Sequence, residues 1–242
     1  MCGWRVARPD GMNSPFPKKK DISRRGFVRA VAATSGTLAA LGANLAGPRP
    51  LFQTPLSPDA ALNELIDGNH RYMAGKRTAD ALDLEVLRTK TAEKQEPFAA
   101  VLACADSRVP VEIVFDQTIG HIFVCRVAGN VTTPEVIASL EYGAQVLGIS
   151  VMMVLGHANC GAVAANIKSL PVPGQISVLY PHIQPAVDLA GPNAEAAIKA
   201  NAKLQAAILA EGSTVISGLI KDHKIKVVAA YYDVANGKVT IV

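Results

Sequence analysis

The chain has 242 residues, 50% of them hydrophobic and 18% charged, which is enough to bury one proper core and too apolar for a disordered segment. Its formal charge of +4 is unevenly placed: residues 1–46 hold eight Lys or Arg against two Asp, and the remainder holds sixteen against eighteen Asp or Glu. The body after residue 46 therefore has no basic excess, which argues against nucleic acid as a partner.

Residues 1–46 read as a leader. Lys18, Lys19 and Lys20 precede Ser23-Arg24-Arg25-Gly26-Phe27, and a mildly apolar stretch covers residues 31–46. Twin arginines ahead of a weakly hydrophobic, Gly- and Ala-containing segment resemble a bacterial twin-arginine export signal, which implies a periplasmic or other extracytoplasmic destination. The apolar stretch is short for a spanning helix, so no stable membrane span is expected once the leader is removed. Residues 47–58 are Pro-rich and read as a linker, leaving residues 59–242 as one domain.

Ser57-Pro58 starts a helix with a capping hydroxyl and a first-turn proline, and Gly75 ends it. Within that helix, Asp67-Gly68-Asn69-His70-Arg71-Tyr72 reads as packing and surface hydrogen bonds. Residues 78–96 are polar and helical in part. Strand-length apolar runs follow at 98–103 and 121–127, with a short element at 112–116 between them. Thr133-Pro134 opens a helix to about residue 147, and a third strand covers 150–155. Cys160 stands at the start of the next helix, whose positive dipole end favours a thiolate. Residues 170–185 contain four prolines and read as a loop with a helical turn. Helices are predicted at 193–211 and 213–222, then strands at 226–232 and 238–242 around Asn236-Gly237, a hairpin signal. The alternation predicts an α/β fold: a mostly parallel central β-sheet flanked by helices, with an N-terminal helical arm and a C-terminal β-hairpin.

Two short motifs stand at the ends of predicted strands, where open α/β sheets place their sites. The first is Cys104-Ala105-Asp106-Ser107-Arg108 and the second His157-Ala158-Asn159-Cys160. Two thiolates and an imidazole suit Zn2+, and three protein ligands leave the fourth position for solvent, as in catalytic zinc sites. Asp106 offers an alternative fourth ligand, which the family that these motifs resemble uses in a closed state only. Asp106 and Arg108 lie two residues apart on an extended segment and so point the same way, able to pair. Of the remaining cysteines, Cys2 is in the leader and Cys125 lies inside an apolar run as a small core residue. No disulfide is expected.

Cys-x-Asp-x-Arg followed by His-x-x-Cys-Gly resembles the β-class carbonic anhydrases. The likeness runs from about Ala60 to Val242 and includes Val109-Pro110, Glu141-Tyr142-Gly143-Ala144 and Gly156-His157. It implies reversible hydration of carbon dioxide to bicarbonate and a proton, with Asp106 and Arg108 as a catalytic dyad. It further implies a substrate pocket lined by Phe123, Tyr142 and the backbone of Gly161, with Gln95 donating from across a homodimer, as in the constitutively open subtype. The early helices of the family reach over the neighbouring subunit. The bicarbonate-inhibited subtype builds its regulatory anion site with a tryptophan; here the single tryptophan is Trp4, in the leader, so that site is not expected. Two other functions are compatible with the same motifs: a zinc hydrolase of carbonyl sulfide or carbon disulfide, and a non-catalytic, zinc-stabilised bicarbonate-sensing module.

Overall fold

A computed structural model describes residues 56–79, 88–89 and 91–242, all within the unit Arg49–Val242. The expected leader and nearly all of the expected linker lie outside the described residues, as do residues 80–87 and 90 of the polar stretch.

Helix α1 (Pro58–Met73) starts where Ser57 Oγ accepts from the Ala60 amide at 3.3 Å. Its buried face is Ala61, Leu65, Gly68 and Asn69, the spacing of one helical stripe. Strand β1 (Ala99–Ala103) is buried at every position, as a central parallel strand covered on both sides must be. A short helix α2 (Val111–Val114) leads to the edge strand β2 (Ile122–Arg126) and helix α3 (Pro134–Gln145), which Thr133 caps. Strand β3 (Val151–His157) is also wholly buried, and helix α4 (Gly161–Ile167) follows it. Helices α5 (Tyr180–Ala190), α6 (Ala194–Gly212) and α7 (Thr214–Lys221) precede β4 (Lys226–Tyr232) and β5 (Val239–Ile241).

The sheet order is β2-β1-β3-β4-β5; the first four strands are parallel and β5 is antiparallel to β4. The period-2 rule divides the central strands between two cores. Ala99, Val101 and Ala103 of β1 and Met153 and Leu155 of β3 meet α1 and Phe115 on one face. Ala100, Leu102, Met152 and Val154 face Leu140 of α3, Leu209 of α6 and Ile216 of α7 on the other. A third cluster sits at the strand tips, where Val131, Val163, Ile183 and Ile198 surround Cys104 and Cys160.

One expectation needs correction. The span 170–185 is not a loop with a turn: a 3-10 helix (Gly174–Leu179) runs into α5, which carries Pro185 in its interior. That proline forfeits one helical hydrogen bond in the middle of α5, while Ile183, Ala186 and Val187 bury one face. The helical spacing was present in the sequence but masked by its prolines. The C-terminal hairpin forms as expected, β4 and β5 pairing antiparallel with residues 233–238 as their connection. Asp233 organises it, its carboxylate accepting from the Ala235 amide at 2.9 Å and Asn236 Nδ2 at 2.7 Å. Only Gly237 takes a positive φ there (79°).

Candidate metal centre

The register brings the two motifs together. Ala103 of β1 lies opposite Leu155 of β3, so Cys104, just past one strand tip, stands beside His157, the last residue of the next. Asn159 then takes a left-handed conformation (φ 56°), and this turn returns the chain so that Cys160 becomes the N-cap of α4. The ligand atoms of Cys104, His157 and Cys160 all lie within 4.8 Å of one another, and all three residues are buried. His157 Nδ1 lies 2.9 Å from the Ala158 carbonyl, which fixes that nitrogen as the donor and leaves the Nε2 lone pair free. Nε2 is buried and has no hydrogen-bond partner. A fully buried imidazole nitrogen facing two sulfurs fits a soft or borderline cation such as zinc, with the Ala158 carbonyl orienting the ring from behind.

The sulfurs are not equivalent without metal. Cys104 accepts from the Cys160 thiol, and this holds it down at about 4 despite its burial. Cys160 is pushed up, first by donating to Cys104 and then by burial, although the Ala162 and Val163 amides of α4 pull it down. The amides at the start of α4 do pull Cys160 toward the thiolate, as its place at the helix end implies, and without metal the proton shared with Cys104 opposes them. Metal binding displaces that last proton.

Asp106 occupies the rim. Arg108 Nε reaches its Oδ1 at 3.0 Å and Nη2 its Oδ2 at 2.7 Å, and the Arg108 amide donates to Oδ1 at 2.9 Å. Those bonds to Arg108 hold the Asp106 carboxyl well below the usual carboxylate range. Its Oδ2 also lies 4.0 Å from His157 Nε2, so the paired carboxylate faces the sulfur–imidazole group. Arg108 is in turn held by the Asn159 carbonyl at 3.2 Å, tying the first motif to the turn of the second.

The remaining expected site residues divide. Gly161 opens α4 beside Cys160, with open space where a Cβ would stand. Phe123 and Tyr142 pack on each other, ring centroids 6.3 Å apart, but not against the metal group of their own chain. Phe123 lies opposite Ala100, four residues short of Cys104, or roughly 13 Å at the rise of a strand. Gln95 is exposed and precedes β1, at the opposite end of that strand from Cys104. Cys125 is half-buried in the α3–α7 core and is a free thiol, as expected.

Sequence reasoning missed two contributors. Arg126 ends β2 and donates from Nε to the Cys104 carbonyl at 2.9 Å and from Nη2 to the Asp106 carbonyl. Gly129 donates its amide to Cys104 Sγ at 3.4 Å. An arginine closing an apolar strand beside the motif strand was a usable signal. The Gly129 amide had none, because backbone donors carry no side-chain signature.

The family model described as carbonic anhydrase matches residues 99–239, more than half of the chain. The chain belongs to the carbonic anhydrase family. A carbonic anhydrase of Mycolicibacterium smegmatis is 43% identical over 114 residues, covering 47% of this chain and 55% of that protein. The chain thus spans about half the length of the curated carbonic anhydrases it matches. Among solved structures, the β-carbonic anhydrase CcaA aligns at a TM-score of 0.60 with 23% identity, over 74% of this chain and 86% of that one. A tetrameric β-carbonic anhydrase from Sordaria macrospora aligns at 0.59 with 19% identity, over 75% and 96%. At these identities the likeness is one of fold, and it makes the mostly parallel, helix-flanked sheet that of the β-class carbonic anhydrases.

Proposed function

We propose that this carbonic anhydrase reversibly hydrates carbon dioxide to bicarbonate and a proton, with zinc held by Cys104, His157 and Cys160. When bound, zinc supplies a Lewis acid that brings the pKa of water to about 7, so hydroxide is present at neutral pH. The observation that carries the reading is the buried, unpartnered His157 Nε2 between two sulfurs, with the Asp106 carboxylate facing it.

The protein's own residues then have separable tasks. Arg108 keeps Asp106 ionised and fixed in direction, so Asp106 Oδ2 accepts the O–H of the attacking water and aims its lone pair at carbon. While Arg108 holds Asp106, the carboxylate is not free to become a fourth ligand. Arg126 clamps the backbone on both sides of Ala105, fixing Cys104 and Asp106 relative to one another. Gly161 leaves room for a small, flat substrate beside Cys160.

Gln95, Phe123 and Tyr142 gather toward the other end of the sheet, so within this proposal they line the pocket of a second subunit. A homodimer is the smallest assembly that completes the site. Among the described residues no helix is long and apolar enough to cross a membrane. The twin-arginine sequence at Arg24-Arg25 supports export of the folded enzyme to an extracytoplasmic space.

Stopped-flow hydration of carbon dioxide, run beside hydrolysis of carbonyl sulfide on the same zinc-loaded protein, tests the substrate. Rapid turnover of the former is expected. Activity on carbonyl sulfide alone transfers the site to the alternative hydrolase, and inactivity on both leaves a binding module.

A further inference from the structure

Several polar side chains outside the dyad are buried, and one pair of them leads to the metal centre. Asn201 and Gln205 lie one turn apart on α6 and have no exposed surface. Asn201 Nδ2 donates to the Gly129 carbonyl at 2.9 Å, and its Oδ1 accepts from Gln205 Nε2 at 3.2 Å. Gln205 Oε1 accepts from the Thr132 amide at 2.7 Å, the Gln205 carbonyl accepts from Thr132 Oγ1 at 3.1 Å, and Gln205 Nε2 also reaches the His182 carbonyl at 2.8 Å. The two amides therefore hold both ends of the turn between β2 and α3.

That turn is not one the backbone adopts readily. Gly129 (φ 73°) and Asn130 (φ 45°) are both left-handed, and a Cβ on Gly129 would stand 2.8 Å from Ile183 Cδ1. Its result is the Gly129 amide pointing at Cys104 Sγ, 3.4 Å away. The same helix backs the other motif, since Ile198 and Ala202 pack where a side chain on Gly156 would be, next to His157.

We propose that Asn201, locked by Gln205, is a positioning residue for Cys104: by holding the Gly129 carbonyl it fixes the left-handed turn at Gly129, so that the N–H on the other side of that residue donates to the ligand sulfur. The inference rests on zinc being the ion held at Cys104, His157 and Cys160. Partners that orient a ligand without touching the metal commonly govern affinity by about 10–100-fold. Asn201→Leu keeps volume and removes both hydrogen bonds, freeing the turn. Zinc affinity, measured by chelator competition on the folded protein, should fall about 10-fold. With Co(II) in place of zinc, the sulfur-to-cobalt charge-transfer band should move to lower energy, because a sulfur relieved of its N–H donor gives electron density more freely.

A merely structural role for Asn201 predicts neither change. Leu209→Ala, on the same helix but facing the other core, is the matched control: it should lower the melting temperature while affinity and band stay put. Should Asn201→Leu not fold, Gln205→Met, which releases Asn201 without removing it, is expected to shift both readouts in the same direction by less. Parent-like affinity and spectrum in the folded variant overturn the proposal, as does an equal shift in Leu209→Ala. Parent protein that binds neither zinc nor cobalt strikes the zinc reading itself, a separate failure.

Discussion

Gly68 is where α1 meets the segment after the dyad loop, and replacing it by alanine gives the sharpest structural prediction. A Cβ built there stands 1.8 Å from the Phe115 carbonyl oxygen and 2.7 Å from its carbon. Both neighbours are backbone, so no rotamer change relieves the overlap, and α1 must lift by about 1.5 Å to reach ordinary contact distance. Asn69, next in sequence, cannot follow. Its Nδ2 donates to the Val114 carbonyl at 3.1 Å and the Gly237 carbonyl at 2.8 Å, and its Oδ1 accepts from the Val239 amide at 2.9 Å. A shift of that size takes these bonds out of range. Three lost hydrogen bonds at about 1 kcal/mol each, added to about 1–3 kcal/mol of overpacking, give about 4–6 kcal/mol. A domain of this size loses roughly 2–4 °C of melting temperature per kcal/mol, so Gly68→Ala should melt about 10–20 °C lower. Thermal unfolding of zinc-loaded protein followed by circular dichroism measures it. Gly75→Ala is the comparison: its φ is 65°, but nothing lies within 4 Å, so only about 1 kcal/mol of backbone strain is expected. A Gly68→Ala melting point no lower than that of Gly75→Ala would refute the steric reasoning.

Other predictions concern charge and sulfur. Asp106→Asn should retain zinc, since all three ligands remain, but lose turnover by about 10²–10⁴-fold; metal analysis with stopped-flow hydration reads both, and unchanged turnover would remove Asp106 from the mechanism. Burial pushes the Asp116 carboxyl up, but Arg71 Nε at 2.6 Å and the Thr78 and Ala79 donors overrule it and hold it below its ordinary value. The folded protein thus binds this proton less tightly than the unfolded chain, so its contribution is complete above about pH 5 and fades as pH falls through the folded value. Asp116→Asn should accordingly flatten the acid limb of a stability–pH curve, and a limb of parent slope would contradict the assignment. After zinc is stripped by chelation, iodoacetamide at neutral pH should label Cys104 before Cys125, because the Cys160 thiol holds Cys104 as thiolate while burial pushes Cys125 up. Peptide mapping distinguishes them, and prior labelling of Cys125 would reverse that reading.

Much of this was legible in the chain because the motifs are local and their spacing encodes strand tips. Cys104, Asp106, Arg108, His157 and Cys160 declared themselves by residue type, and the alternation of strands and helices placed them on one end of a parallel sheet. What stayed hidden depends on contacts distant in sequence. The reading of Asp67-Gly68-Asn69 as packing had the right kind of role but not its severity, since nothing in the sequence shows that Gly68 abuts Phe115. The roles of Gly129 and Asn201 arise across 72 residues through backbone atoms. Helix α5 was obscured because Pro185 breaks helices in general, whereas here it costs one bond in mid-helix and the buried face of Ile183, Ala186 and Val187 offsets it. The unequal thiols, too, follow from a shared proton that only proximity creates.

The central claim is that Cys104, His157 and Cys160 share one zinc ion that activates water. Metal content measured by inductively coupled plasma mass spectrometry, on parent and on His157→Ala, tests this most directly when carbon dioxide hydration is followed on the same samples. One zinc per parent chain with rapid hydration, and loss of both in the variant, is the expected result. Hydration that persists in metal-free parent protein, or stoichiometric zinc that survives removal of His157, would contradict it.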